Sequence, residues 1–152
     1  MSDCHGALGT MDKVLKKHED IKKVFFLGDG IEQLEELMPF FPDRDFKYVS
    51  GNRDWNVMRA SIDSTVIEGV KIIYTHGNLL GVKYSRQQLF ETAKANGATL
   101  VLYGHTHIAK EEYQDGIYAV NPGALNGSRQ GPNGYAVIDV TPNGIVTSLM
   151  KV

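Results

Sequence analysis

The sequence predicts an α/β domain in which helix and strand alternate along the first part of the chain and strands follow alone. Two observations predict it. Short apolar runs closed by glycine alternate with segments whose apolar residues recur at helical spacing, and the C-terminal part carries two hairpin signals. A chain of 152 residues is the size of one compact domain, so residues 1–152 are expected to form a single unit.

The elements follow in order. Met11, Val14 and Leu15 share one helical face over Met11 to Lys17, with Thr10 placed to cap the helix. Val24 to Leu27 is wholly apolar and ends at Gly28-Asp29, as expected of a strand covered on both faces. Ile31 to Met38 returns to helical spacing and should stop at Pro39. Tyr48-Val49 leads into Gly51-Asn52, and Ile72 to Tyr74 leads into Thr75-His76-Gly77. Ser85 to Asn96 reads as a helix capped by Ser85 and stopped by Gly97. Leu100 to Tyr103 is the next buried strand and runs into Gly104-His105. Asp115-Gly116 marks one hairpin, and a Thr-Pro-Asn-Gly turn between Tyr135–Val140 and Ile145–Met150 marks another. Asn121 to Gly134 is a long polar loop, a length more often functional than not.

Composition excludes several classes. A net charge of −2 argues against a nucleic-acid coat, which needs a basic excess. Apolar stretches of about five residues fall far short of the roughly 20 that cross a bilayer. A lone cysteine permits no internal disulfide and fits a reducing cytoplasm, the expected location. A homo-oligomer stays open.

The chemistry is positional. Asp29, Asn52, His76 and His105 each stand just past the C-terminal end of a predicted strand, where ligands bind in α/β sheets. Asp3 with His5, and His105 with His107, are two residues apart, so in extended chain each pair would aim at one place. Four imidazoles, two carboxylates and one amide oxygen make seven donors, too many for one ion and enough for two if a carboxylate bridges. Imidazole and carboxylate without thiolate suit manganese, iron, nickel, cobalt or zinc rather than copper(I) or iron–sulfur clusters, and manganese is the first expectation among them. Two divalent cations with two carboxylates and one hydroxide leave a net positive site that attracts phosphate oxygens.

Six segments carry a resemblance. They are Asp3-Cys4-His5-Gly6, Gly28-Asp29, Gly51-Asn52-Arg53-Asp54, Thr75-His76-Gly77, Gly104-His105-Thr106-His107 and Asn121-Pro122-Gly123. In this order they resemble the calcineurin-like metallophosphoesterases, and among them the small YfcE-type phosphodiesterases. The resemblance implies a four-layer α/β/β/α sandwich with mixed sheets. It implies that Asp3, His5 and His107 hold one metal, that Asn52, His76 and His105 hold the other, and that Asp29 bridges. It further implies a phosphodiesterase in which hydroxide held between the two ions attacks a small phosphate ester, with Arg53 and Asp54 as catalytic residues.

Two departures from the family pattern stand out. Members begin with a central strand that delivers the first aspartate, yet only Met1 and Ser2 precede Asp3, so that strand is expected to be missing and the metal at Asp3 and His5 weakly held. Arg53 occupies the place of a histidine that protonates the leaving group in the wider superfamily, and arginine cannot donate a proton at working pH. Esters with good leaving groups are therefore the expected substrates. Nucleotide phosphatase and polyphosphate hydrolase activity are alternatives. So is a non-catalytic protein-interaction scaffold, as in the retromer subunit that resembles this fold.

Several residues stand aside from this set. Cys4 is expected to be a small core residue, His18 to be solvated, and Trp55 either to pack or to stack on a substrate ring. Lys83 and Arg86 are expected at a solvated helix start, Asn121 to support the histidines, and Arg129 to lie near the cleft.

Overall fold

A computed structural model describes residues 1–127, 131–141 and 144–152. The elements are α1 (Leu8–Lys17), β1 (Lys23–Phe26), α2 (Ile31–Leu37), β2 (Asp45–Tyr48), β3 (Ile62–Ile67) and β4 (Val70–Thr75), followed by α3 (Gln87–Ala95), β5 (Leu100–Tyr103), β6 (Ala109–Gln114), β7 (Ile117–Pro122), β8 (Gly134–Thr141) and β9 (Gly144–Lys151). Strands β1 and β2 pair in parallel, and β8 pairs with β9 as a hairpin. Five strands form a mixed sheet in the order β3-β4-β5-β7-β6, whose inner members β4, β5 and β7 run parallel.

Three apolar clusters separate four layers. Met11, Val14 and Leu15 of α1 and Ile31 and Leu34 of α2 meet Val24 and Phe26 of β1 and Tyr135 of β8. Leu27, Ile72, Tyr74, Leu100, Leu102 and Val120 fill the space between sheets, with Ala136, Ile138 and Val140 packed against them. On the far side Leu89, Phe90 and Ala93 of α3 cover Ile73, Val101 and Ala119. Along β8 the alternation is visible residue by residue, with Tyr135 and Val137 facing helices and Ala136, Ile138 and Val140 facing the second sheet. The α/β/β/α sandwich with mixed sheets is the observed fold.

Residues 1–3 run alongside β1 in the place of the strand expected before Asp3. The Met1 amine donates to Phe25 O at 2.9 Å, Leu27 N donates to Met1 O at 2.9 Å, and Asp3 N donates to Gly28 O at 3.0 Å. On the other side Leu125 N donates to Ser2 O at 3.0 Å. Beyond Met1 a groove of about 450 Å³ continues between β1 and β8, lined by Val24, Phe25, Tyr135 and Ile138.

Local expectations meet several corrections. Thr10 lies inside α1, which starts earlier, with Ala7 at its N-cap position and no side-chain cap. Helix α2 does end before Pro39, at Leu37, and Pro39 sits in the 3₁₀ turn that follows, Met38–Phe40, where its missing N–H costs nothing. Gly97 has φ +65° after α3, as a helix stop should, but Arg86 and not Ser85 holds the N-cap position, and the Ser85 hydroxyl accepts from Gln87 N at 3.1 Å from one residue further out. Strand β3 escaped the sequence reading. Its antiparallel pairing with β4 through Glu68-Gly69, both at positive φ, is a two-residue hairpin. His18 is not simply solvated, since its Nε2 lies 3.0 Å from the Tyr135 hydroxyl with the two rings edge to face. Pro142 and Asn143 lie outside the described residues, as does Arg129.

Candidate metal centre

All four strand-end donors converge because β1 and β2 are parallel to each other, as are β4 and β5, and their carboxyl ends open on one cleft. His76, just past β4, lies with Nε2 3.1 Å from Asn52 Oδ1, 3.1 Å from His105 Nδ1 and 3.5 Å from Asp29 Oδ2. The other nitrogen of His76, Nδ1, is 2.7 Å from Leu27 O. A carbonyl only accepts, so Nδ1 carries the proton and Nε2 presents a bare lone pair to the other donors.

The second group forms around Asp3. His107 Nε2 is 3.0 Å and His5 Nε2 3.7 Å from Asp3 Oδ1, and the two imidazole nitrogens are 3.3 Å apart. Asp29 stands between the groups, its Oδ2 3.7 Å from His5 Nε2 and 3.5 Å from His76 Nε2, while Oδ1 accepts from Arg53 N at 2.7 Å. The structure therefore brings all seven donors together.

Asp3 supplies the clearest test of fit. Its Oδ2 accepts from the Ser2 hydroxyl at 2.6 Å and from His105 N at 3.1 Å. Its Oδ1 is the single buried side-chain oxygen or nitrogen without a hydrogen-bond partner among the described residues, and it lies 3.0 Å from His107 Nε2. A buried carboxylate oxygen aimed at two imidazole nitrogens fits a cation.

Protonation equilibria reflect the same geometry. Burial pushes the Asp3 carboxyl up, but the neighbouring His107 and His5 imidazoles outweigh it and hold the group well below the usual carboxylate range. His5 is raised, chiefly by the Asp3 carboxylate beside it. Burial, reinforced by the neighbouring His76, pushes His105 down to about 4.

The backbone reaches these positions by an unusual route. Among the described residues seven non-glycine residues have positive φ, and five of them are Asp3, His5, Asp29, His105 and His107. Left-handed backbone is sparsely populated for such residues and tolerated best by Asp, Asn and His. The extended-chain expectation is corrected here. Left-handed residues separated by one position turn the chain, so His105 faces His76 while His107 faces Asp3, and the pair serves two subsites rather than one.

Glycines make the approach possible. A side chain at Gly51 would collide with the Asp29 carboxylate, and one at Gly104 would collide with Ser2 Oγ and lie 2.9 Å from Asp3 Oδ2.

Asp54 departs from its expected catalytic role. Its carboxylate accepts from Asp29 N at 2.7 Å, Gly30 N at 2.8 Å, Ile31 N at 3.0 Å and Gly51 N at 2.8 Å. Both oxygens are engaged with backbone, so Asp54 ties the Asp29 loop to the Asn52 loop. Arg53 is exposed at the rim, near enough to His5 for its charge to be felt there.

Asn121, at the end of β7, is fully buried. Its amide donates to Gly104 O at 2.9 Å and Thr106 Oγ1 at 3.1 Å, and its oxygen accepts from Gly123 N at 2.9 Å. It pins the turn that carries His105 and His107, the supporting role expected of it. Cys4 is buried in the core beneath α1 and α2, as expected. Arg86 is not solvated. It lies 3.4 Å from Glu112 and donates to the Val82 carbonyl and, at 3.3 Å, to the Tyr103 hydroxyl, whereas Lys83 is exposed.

A probable metallophosphoesterase, YsnB of Bacillus subtilis (strain 168), is 29% identical over 126 residues, covering 82% of this chain and 72% of its own length. Vacuolar protein sorting-associated protein 29 of Schizosaccharomyces pombe (strain 972) is 33% identical over 95 residues, covering 62% of this chain and 49% of its own. Of solved structures, a predicted phosphoesterase from Streptococcus pneumoniae TIGR4 superposes with a TM-score of 0.84 at 25% identity, over 99% of this chain and 86% of the other. The phosphoesterase YfcE from E. coli shares the fold, with a TM-score of 0.68 at 20% identity over 98% and 95%. The family model of the calcineurin-like phosphoesterase superfamily domain matches residues 1–143, and the chain belongs to that superfamily.

Proposed function

We propose that this protein is a phosphodiesterase that works with two divalent cations, manganese first among them. The observation that carries this reading is the meeting of bare acceptors. Asp29 Oδ2 lies within 3.7 Å of a nitrogen from each group, and His76 Nε2 lies 3.1 Å from both an amide oxygen and an imidazole nitrogen. Acceptors packed this closely repel one another unless positive charge lies between them.

In this reading Asp3, His5 and His107 hold one cation and Asn52, His76 and His105 the other, with Asp29 shared. When bound, the two cations acidify a water to supply the nucleophile and neutralise charge on the phosphate. The remaining roles belong to the chain. Leu27 O holds His76 in the tautomer that leaves Nε2 free. Asp54 holds the Asp29 and Asn52 loops in register. The Arg53 guanidinium pairs with non-bridging phosphate oxygens and stabilises the charge that builds on them. Arginine gives up no proton to the departing oxygen, so the leaving group must carry its own negative charge.

The test is hydrolysis of bis(p-nitrophenyl) phosphate and p-nitrophenyl phosphate with added Mn²⁺ or Ni²⁺ and with chelator. Metal-dependent turnover of the diester above the monoester is expected, and an alkyl phosphodiester should be cleaved far more slowly. Absence of metal-dependent turnover of either aryl ester would return the protein to the scaffold reading, which the likeness to vacuolar protein sorting-associated protein 29 favours.

A further inference from the structure

Trp55 is the single tryptophan of the chain, and 80% of its surface is exposed. The structure thus removes the packing role left open by the sequence. An indole bears the largest apolar surface of any side chain, and leaving it in water forgoes the stabilisation its burial would bring. It stands on the Asn52 loop at one wall of a cleft of about 740 Å³, which also holds Gly30, Glu32, Gln33, Arg53 and Asn56 and reaches His5.

We propose that this cleft receives the organic arm of the ester, and that the arm is a planar, uncharged heteroaromatic group stacked on Trp55, with a nucleobase as the model chemistry. The inference rests on the phosphodiesterase reading above and adds the substrate class to it. Three features argue for the class. The cleft includes His5, a donor of the candidate centre, and Arg53, whose guanidinium suits phosphate, so a group esterified to a phosphate over the centre leads directly into it. Its polar wall is made of groups that read an edge: Gln33 and Asn56 each offer a donor and an acceptor, and Glu32 accepts from an exocyclic N–H. The Glu32 carboxylate also repels a second anionic group, which sets a nucleoside-like arm above a polyphosphate chain. An aliphatic arm would fit the volume, but it would leave the polar wall unpaired and would not stack.

Because Trp55 is the sole tryptophan, intrinsic fluorescence reports the cleft directly, without turnover. Titration of the manganese-loaded protein with thymidine monophosphate is expected to quench fluorescence saturably, while ribose phosphate leaves it unchanged. In kinetics with two diesters sharing a p-nitrophenolate leaving group, Trp55→Ala should raise KM for the thymidine ester roughly 5- to 150-fold more than for the methyl ester, the range of one base–aromatic stack. Trp55→Phe should recover most of the difference, which a purely structural role would not predict. No saturable quenching, or equal KM changes for the two esters, overturns the proposal. The two readings fail separately. Turnover of both esters without quenching keeps the phosphodiesterase and removes the aromatic cleft. Quenching without turnover keeps the cleft as a binding site and removes the enzyme.

Discussion

His76 and Asp29 sit on the floor of the cleft with side chains 0% and 3% exposed, whereas the imidazoles of His5 and His107 stand at the rim with 25% and 30% exposed. The floor group hangs from three strand ends, β2, β4 and β5, and its key histidine is locked by a backbone carbonyl. The rim group hangs from residues 3–5 and from His107 on the loop after β5, and left-handed backbone is common to both groups, since Asp29 and His105 share it with Asp3, His5 and His107. The contrast teaches that equal donor counts do not make equal sites. A buried imidazole such as His76, locked by a carbonyl, loses little freedom when a cation arrives, while the part-exposed imidazoles of His5 and His107 must be ordered at that moment.

Four measurements break or sharpen the comparison. The largest effect is expected for Asp29→Ala, which removes the residue both groups share. Turnover of an aryl phosphodiester should fall on the order of 10³-fold or more, about 4 kcal/mol of barrier, and calorimetry should show both affinities weakened. If only one affinity changes, Asp29 does not bridge. Next, His76→Ala and His5→Ala should separate the groups. The wild type is expected to bind manganese in two steps, the tighter lost in His76→Ala and the weaker in His5→Ala. Two equal, tight steps with matching anomalous peaks would abolish the distinction between floor and rim.

A smaller effect is expected from Asn121→Ala, which touches neither cation but frees the turn bearing His105 and His107. Affinity at both groups should drop roughly 10- to 100-fold, as for other residues that orient ligands. Loss confined to one group would show that the turn moves in parts.

The mildest test is pH. His5 is raised by Asp3, so a proton competes with metal at the rim and affinity there falls as pH drops through that raised value, which begins above the ordinary 6.5. His105, pushed down to about 4, stays unprotonated across the same range, so floor affinity should hold. Manganese titrations between about pH 6 and pH 8 should give a slope of up to about tenfold per pH unit at the rim and almost none at the floor. Parallel slopes would place the same titrating group in both.

Much of this was legible in the sequence. Buried runs such as Val24–Leu27 and Leu100–Tyr103 announce strands because only a covered strand tolerates an unbroken apolar stretch, and a donor after each run points to one end of a sheet. The mistakes share a cause. The neighbours of Thr10 alone suggest a cap, while packing of Leu8 and Met11 on the first core starts α1 before it. Asp54 was read as chemistry from its company in a motif, whereas the four amides facing its carboxylate come from two separate loops. His18 found Tyr135 across 117 residues of chain, which no local pattern encodes.

By itself, the order of residue types determined the class of fold, the inventory of seven donors and their places at the ends of elements. These follow from side-chain chemistry and short-range periodicity, which are properties of neighbours in the chain. Only the tertiary structure decided which donor faces which. His107 meets Asp3 from 104 residues away and His105 turns from it toward His76, because left-handed backbone, buried strands and a pinned loop together set directions that a one-dimensional string leaves free.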